Sequence, residues 1–115
     1  MRAVRDPFLE QAERARSEAA AFASEHEQLD CAPAAFRRVD DCDGILCQAQ
    51  APIFTKHCLA SAHDSPGLCD EIPESVVKAA LWPTTECLAI EAEPELCRRI
   101  LMELVKACAA RRAGR

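Results

Sequence analysis

Cysteine is the residue type in this 115-residue chain that offers the most varied chemistry. Cysteine side chains can pair as disulfides, hold soft metal ions or exchange electrons with other thiols. There are eight of them, an even number, and they are spread along the chain instead of clustering in a short motif. Parity and spread predict four disulfides. The cysteines concerned are Cys31, Cys42, Cys47, Cys58, Cys69, Cys87, Cys97 and Cys108.

Metal binding is the alternative use of the same thiols. Structural zinc sites and copper–thiolate sites favour closely spaced ligands, and the chain contains neither C-x2-C nor C-x3-C. The tightest pair, Cys42 and Cys47, has four residues between its members, so a metal site would combine distant segments with His57 or His63. The missing C-x-x-C also argues against a thioredoxin-like redox role. A copper- or zinc-binding protein with reduced cysteines in its core is therefore the second hypothesis.

The other chemically suggestive motifs are incomplete. The segment VDDCDG resembles part of an EF-hand loop, but that register puts Val39 and Gln50 at the first and last carboxylate positions. His57 precedes Cys58, and adjacent side chains on a helix point about 100° apart, which does not make a Cys–His pair. The sequence therefore predicts no catalytic residue, no cofactor and no enzymatic activity. A small hydrolase or redox enzyme of unfamiliar arrangement is the third hypothesis.

The segment PELCRRILMELVKAC predicts an amphipathic helix that starts at Pro94 and has cysteines at both ends of its apolar face. Cys97 and Cys108 are eleven residues apart, which is about 16 Å along a helix, so they cannot bond each other. Each would fasten a different end of the helix to its neighbours. We expect both to bridge to the segment between Cys31 and Cys69, where the packing partners of this helix should lie.

The N-terminal segment predicts a long helix over about residues 7–29. Asp6 is a suitable cap and Pro7 suits the first helical position. His26 lies on its apolar stripe, where we expect it to bond a backbone carbonyl. Small side chains at the centre of the stripe would allow another helix to approach closely, either within the domain or in a second copy. The stripe consists of Phe8, Ala12, Ala15, Ala19, Phe22, His26 and Leu29.

The rest of the chain predicts shorter helices separated by turns. We expect a short helix begun by Asp30 and Pro33, at most two turns in GILCQAQ, and a helix opened by Pro52. LCDEIP reads as a loop, PESVVKAALW as a helix that ends before the next proline, and PTTECLAIEAE as helix in preference to strand. Trp82 is a possible partner contact, although filling the core is the commoner role. The prediction is one all-α domain, residues 1–115, built as a disulfide-stapled bundle of about five helices with a cysteine-bearing core at 31–112.

Composition and charge restrict the function classes. Alanine accounts for 22 residues, which leaves few large apolar side chains for a core and makes covalent staples useful. Residues 40–95 contain eleven acids and two bases, whereas residues 96–115 contain six bases and one acid. With a net charge of −5, we predict pairing within the molecule and no nucleic-acid partner. No apolar run is long enough for a membrane span, so we predict no integral membrane segment.

Disulfides indicate an oxidising compartment, although the first residues lack the apolar region of a signal peptide. We expect a secreted or periplasmic protein whose sequence is that of a mature form with a new Met1. Export by another route and thiols kept reduced in a cytosol are the alternatives. The predicted function is that of a non-catalytic, envelope-associated or secreted protein-interaction or structural module. Its partner would be another protein or a second copy.

Overall fold

The structure is a computed structural model that describes residues 6–114. The expectation about Met1 therefore lies outside the described residues, as does the charge of Arg115. Within 6–114 the chain forms five helices of at least ten residues, a four-residue helix and a 3₁₀ turn, with one isolated β-bridge and no strand. This confirms the predicted all-α fold. The helices are α1 Pro7–Ala23, α2 Cys31–Asp40, α3 Ile45–Gln48, α4 Gln50–Ser61, α5 Val76–Cys87 and α6 Pro94–Ala113.

The helices pack in a series. α1 lies mainly on α4, α4 on α6, and α6 on α5, while α2 contacts both α4 and α6. The molecule is elongated, with extents of 51 × 28 × 24 Å. α4 and α6 form the centre, so α1 and α5 are the end helices, each with one principal neighbour.

α1 begins as predicted and ends earlier. The Asp6 carboxylate accepts a 2.8 Å hydrogen bond from the backbone N–H of Phe8, which caps the helix. The helix ends at Ala23, because the next residues bond across to the end of α4. The His63 N–H donates to the His26 carbonyl at 3.1 Å, and the Gln28 N–H donates to the His63 carbonyl at 2.9 Å. A helix reaching residue 29 would need these groups for its own bonds, so the predicted boundary is wrong.

α5 also differs from its predicted boundaries. It starts at Val76, where the Ser75 hydroxyl accepts from the Lys78 N–H at 3.4 Å, and not at Pro73. It then continues through Pro83 to Cys87, which confirms the helical assignment for the first five residues of PTTECLAIEAE. The remaining six, residues 88–93, form turns, bends and irregular chain, so the assignment is wrong there. Proline removes one backbone bond, yet the Pro83 ring is buried among the side chains around it. Burial of this ring favours the continued helix over the break that the sequence predicted.

α6 confirms the predicted start at Pro94. The Glu93 carboxylate caps it by accepting from the N–H groups of Glu95 at 3.1 Å and Leu96 at 2.8 Å. The helix buries the predicted face against α4, α2 and α5. The buried residues of α6 are Leu96, Cys97, Ile100, Leu101, Leu104 and Cys108.

The last turn of α6 holds the connection between α4 and α5. The Arg112 guanidinium donates to three backbone carbonyls, those of Cys69 (2.9 Å), Ile72 (2.6 Å) and Pro73 (2.9 Å). Arg111 donates to the Ser65 carbonyl at 3.2 Å. Both guanidiniums therefore satisfy carbonyls of a segment without regular structure. The charge distribution predicted pairing with the acidic middle of the chain, and Arg111 does lie 3.7 Å from Asp64; the bonds to backbone carbonyls were not predicted.

Candidate functional site

All eight cysteines lie in the described range and form four disulfides, so no thiol is free. Cys108 bonds Cys69, inside the segment expected for it, with 5.7 Å between the Cα atoms. Cys97 bonds Cys87 at a Cα separation of 6.0 Å, which contradicts the expected pairing. Because α5 crosses Pro83, its last residue reaches the first turn of α6. The four pairs are Cys31–Cys58, Cys42–Cys47, Cys69–Cys108 and Cys87–Cys97.

Each bridge joins different elements. Cys31–Cys58 ties the start of α2 to α4, and Cys69–Cys108 ties the α4–α5 connection to the end of α6. Cys87–Cys97 closes the α5–α6 hairpin, and Cys42–Cys47 closes the short turn between α2 and α3. Helix α1 contains no cysteine. Three bridges therefore fasten the central helices, whereas α1 is held by packing.

The histidines named as possible metal ligands have other contacts. Within residues 6–114, no group of three or more His, Cys, Asp or Glu side chains is arranged to hold an ion. Arg16 donates from Nε to Nε2 of His57 at 3.2 Å. Partial burial, followed by the positive charges of Arg16 and Lys56, lowers the pKa of His57 below the ordinary value of 6.5 for histidine.

His26 behaves as a helix-end residue. Its ring stacks on Phe22 with 3.7 Å between the ring centroids, and its Nδ1 lies 2.8 Å from the Phe22 carbonyl oxygen. The sequence predicted a bond from this histidine to a backbone carbonyl, and the structure contains it. The side chain therefore closes the C-terminal end of α1.

The outer side of α5 exposes several large apolar side chains. Its inner side, with Ala79, Pro83 and Cys87, is buried towards α6. On the opposite side Val77 is 69%, Leu81 61% and the capping residue Leu88 85% exposed. These three and Thr84 follow steps of four, three and four residues, which places them in one line along the helix. We call this set, Val77, Leu81, Thr84 and Leu88, the outer stripe.

Few charges interrupt the outer stripe. α5, which the structure describes throughout, has two charged side chains, the exposed Lys78 and the partly exposed Glu86. Val76, at the start of the helix, adds a further apolar side chain that is 85% exposed. Single exposed apolar residues are ordinary on protein surfaces, whereas a contiguous line of them marks an interaction surface. The outer stripe is therefore the candidate functional site.

A groove between α5 and α6 adjoins the outer stripe through Thr84. It has a volume of about 260 Å³, and α6 contributes Met102, Glu95 and two arginines to it. Arg98 and Arg99 both pair with Glu95, so two guanidiniums share one carboxylate and the rim keeps an excess positive charge. The hydrogen bond from Arg98 and its charge lower the pKa of Glu95. The lining residues are Ala80, Pro83, Thr84, Glu95, Arg98, Arg99 and Met102.

Trp82, the residue singled out from sequence, is partly buried and packs against the core. Helical geometry turns it about 100° from Leu81, so it borders the outer stripe without belonging to it. Its role as a partner contact stays a prediction. Sequence reasoning missed the stripe itself, although the spacing of Val77, Leu81, Thr84 and Leu88 was visible in it.

The chain matches no family model, no curated protein and no solved structure in the comparisons with known proteins. None of the helices within residues 6–114 combines the length and the apolar character that crossing a bilayer requires.

Proposed function

We propose that this protein is a non-catalytic interaction module of a secreted or periplasmic, envelope-associated space, and that it binds another protein through the outer stripe of α5. The observation that carries the proposal is the line of exposed apolar side chains on α5, a helix that Cys87–Cys97 fastens at one end. Helix pairing of apolar faces is a common mode of protein recognition. The rigid bundle would present this helix without needing to fold around its partner.

The disulfides support the compartment. Four bridges in a chain of this size are typical of proteins that leave the reducing cytosol. Three of them involve helices that form the centre of the fold, so reduction would remove covalent links from its core. This supports the proposed secreted or periplasmic location.

Charge indicates the chemistry of the partner. Arg98 and Arg99 are 46% and 64% exposed at the rim of the groove beside the stripe, and one carboxylate serves both. A partner helix with an apolar face and carboxylates along one flank would cover Leu81 and Leu88 and pair with these guanidiniums. Such a complex would place the apolar contact at its centre and the charges at its rim.

A cross-linking experiment identifies the partner. A photo-reactive residue at position 81 is compared with one at position 17, an exposed site on α1, in cells that export the protein. The protein captured at position 81 is then purified, and its binding is measured calorimetrically. A cross-link to a second copy would identify self-association through the same stripe.

Two variants then test the surface. V77K/L81K places charges in the stripe and should weaken binding of the purified partner at least tenfold, because buried lysines would lack partners. The matched control S17K/A20K changes two exposed positions of α1 and should leave binding unchanged. Both variants should keep the free energy of unfolding within about 0.5 kcal/mol of the parent, since all four sites are exposed. Equal binding by both variants would contradict the proposal.

A further inference from the structure

The Cys42–Cys47 bridge differs from the other three in exposure. Both of its cysteines are partly exposed. Every other bridge has at least one member with no exposed surface, since Cys31, Cys97 and Cys108 are 0% exposed. A thiolate can exchange with a disulfide only if it reaches one of the two sulfur atoms. Cys69 is also partly exposed, but its partner Cys108 is not, so Cys42–Cys47 is the one bridge among the four with two partly exposed cysteines.

This bridge also differs in what it holds together. Its cysteines are 5 positions apart, whereas the other pairs are separated by 10, 27 and 39 positions. It closes a turn between α2 and the four-residue α3, in which Gly44 has a φ of +94° that favours glycine. The central helices remain tied by the other three bridges when this one opens. Opening it thus releases a short surface turn and leaves the bundle intact.

The surroundings of the bridge select the kind of thiol that approaches. Asp40, Asp41 and Asp43 are exposed next to it, and their charges repel anionic thiols while attracting cationic ones. Ile45, inside the closed turn, is 78% exposed and offers an apolar contact. The site fits a protein whose reactive thiols lie in cationic surroundings.

We infer that Cys42–Cys47 is an exchangeable disulfide that accepts two electrons from the dithiol of such a partner protein. A partner thiolate attacks one sulfur, forms a mixed disulfide and releases the second cysteine as a thiolate, which takes a proton from water. The second partner thiol loses its proton to water, attacks the mixed disulfide as a thiolate and releases the other cysteine as a thiolate, which takes a proton in turn. The partner dithiol ends oxidised to a disulfide, and Cys42 and Cys47 end as two thiols. This activity is independent of the outer stripe of α5.

Graded reduction of the native protein tests the inference. The oxidised protein is treated with dithiothreitol for increasing times, free thiols are blocked, and the labelled cysteines are located by peptide mapping. Cys42 and Cys47 should be labelled at least tenfold sooner than the other six cysteines, with helicity unchanged at two labels per chain. Earlier or simultaneous labelling of any other pair, or loss of helicity at two labels, would overturn the inference.

Charge selectivity supplies the second test. Cysteamine, a cationic thiol, should open Cys42–Cys47 severalfold faster than 2-mercaptoethanesulfonate at equal thiolate concentration, and the ratio should fall as salt rises. The variant D40N/D41N/D43N should bring the ratio close to one. Equal rates in the parent protein would overturn the assignment of a cationic partner.

A further variant controls for general loosening of the structure. In C42S/C47S the other three bridges should stay closed over the interval in which the parent loses Cys42–Cys47. Rapid opening of a second bridge in this variant would show that the turn protects its neighbours, which contradicts a separate exchange site.

Discussion

The two end helices of the series, α1 and α5, are held in opposite ways. α1 has no cysteine and lies on α4 through Ala15, Ala19 and Ala23, each at most 1% exposed. α5 buries Ala79 at its inner face and relies on the bridge from Cys87 to α6. Beyond its first turn, α1 exposes mostly charged and small residues, whereas α5 exposes an apolar stripe. The exposed residues of α1 in that part are Glu10, Glu13, Arg14, Arg16, Ser17, Ala20 and Ala21.

The comparison shows how covalent fastening changes what a helix surface can be used for. A helix held by packing needs apolar side chains at its contact, and α1 supplies alanines there, although Phe8 and Leu9 in its first turn stay exposed. A helix fastened by a disulfide can keep its position while part of its apolar surface faces outwards. On α5 this leaves Val77, Leu81 and Leu88 available for a partner.

Opening the hairpin bridge should have the largest effect. C87S/C97S removes the covalent link of α5, and loss of a disulfide typically lowers the free energy of unfolding by roughly 2–4 kcal/mol. α5 should then exchange its backbone hydrogens well before α1, because its contact with α6 is smaller and less completely buried than the contact of α1 with α4. Hydrogen exchange measured by mass spectrometry checks the order. Equal protection of α5 before and after the substitution would show that packing holds it.

Overfilling the α1–α4 contact should have the next largest effect. Ala19 is 0% exposed, so A19L forces extra atoms into a close helix contact and should lower the free energy of unfolding by about 1–3 kcal/mol. The control A20L adds the same atoms at the next, exposed position and should change stability by less than about 0.5 kcal/mol. Thermal unfolding measures both. Equal stability of the two variants would contradict packing as the anchor of α1.

The smallest effect concerns the pKa of His57 at the α1–α4 contact. Burial and the charges of Arg16 and Lys56 lower this pKa, so NMR titration should give a midpoint below 6.5. R16Q should raise the midpoint, since it removes a charge and the hydrogen bond to Nε2. The unfolded chain binds this proton more readily than the folded one. The free energy of unfolding should therefore be unaffected by His57 above about pH 6.5 and should fall as pH drops below that value. A midpoint at or above 6.5 in the parent would contradict the contact.

Local signals in the sequence were sufficient to predict the all-α fold and where two of its helices start. Asp6 with Pro7 and Pro94 marked two helix starts, because capping and the first turn depend on neighbouring residues. The residue at which a helix ends could not be predicted in the same way, because it depends on contacts with segments far away in the sequence. α1 stops where His26 and Gln28 bond His63, a contact between segments far apart in sequence.

The site was harder to predict than the fold. Proline usually ends a helix, so the sequence predicts that α5 ends at Trp82. In the structure α5 continues to Cys87, and the Pro83 ring is buried. With α5 ending at Trp82, neither the Cys87–Cys97 pairing nor the line of Val77, Leu81, Thr84 and Leu88 could be predicted. The spacing alone does not say which of two apolar sides of α5 faces α6, since each follows helical periodicity. Only the packing decides.

The cysteines are paired as four disulfides that hold the helices and leave the α5 surface free. Intact mass and peptide mapping of protein purified without reductant test this pairing. The pairing predicts a mass about 8 units below that of the reduced chain, because each of four pairs loses two hydrogens. It also predicts linked peptides for Cys31–Cys58, Cys42–Cys47, Cys69–Cys108 and Cys87–Cys97. Eight blockable thiols with a bound copper or zinc ion would contradict it and make the cysteines ligands.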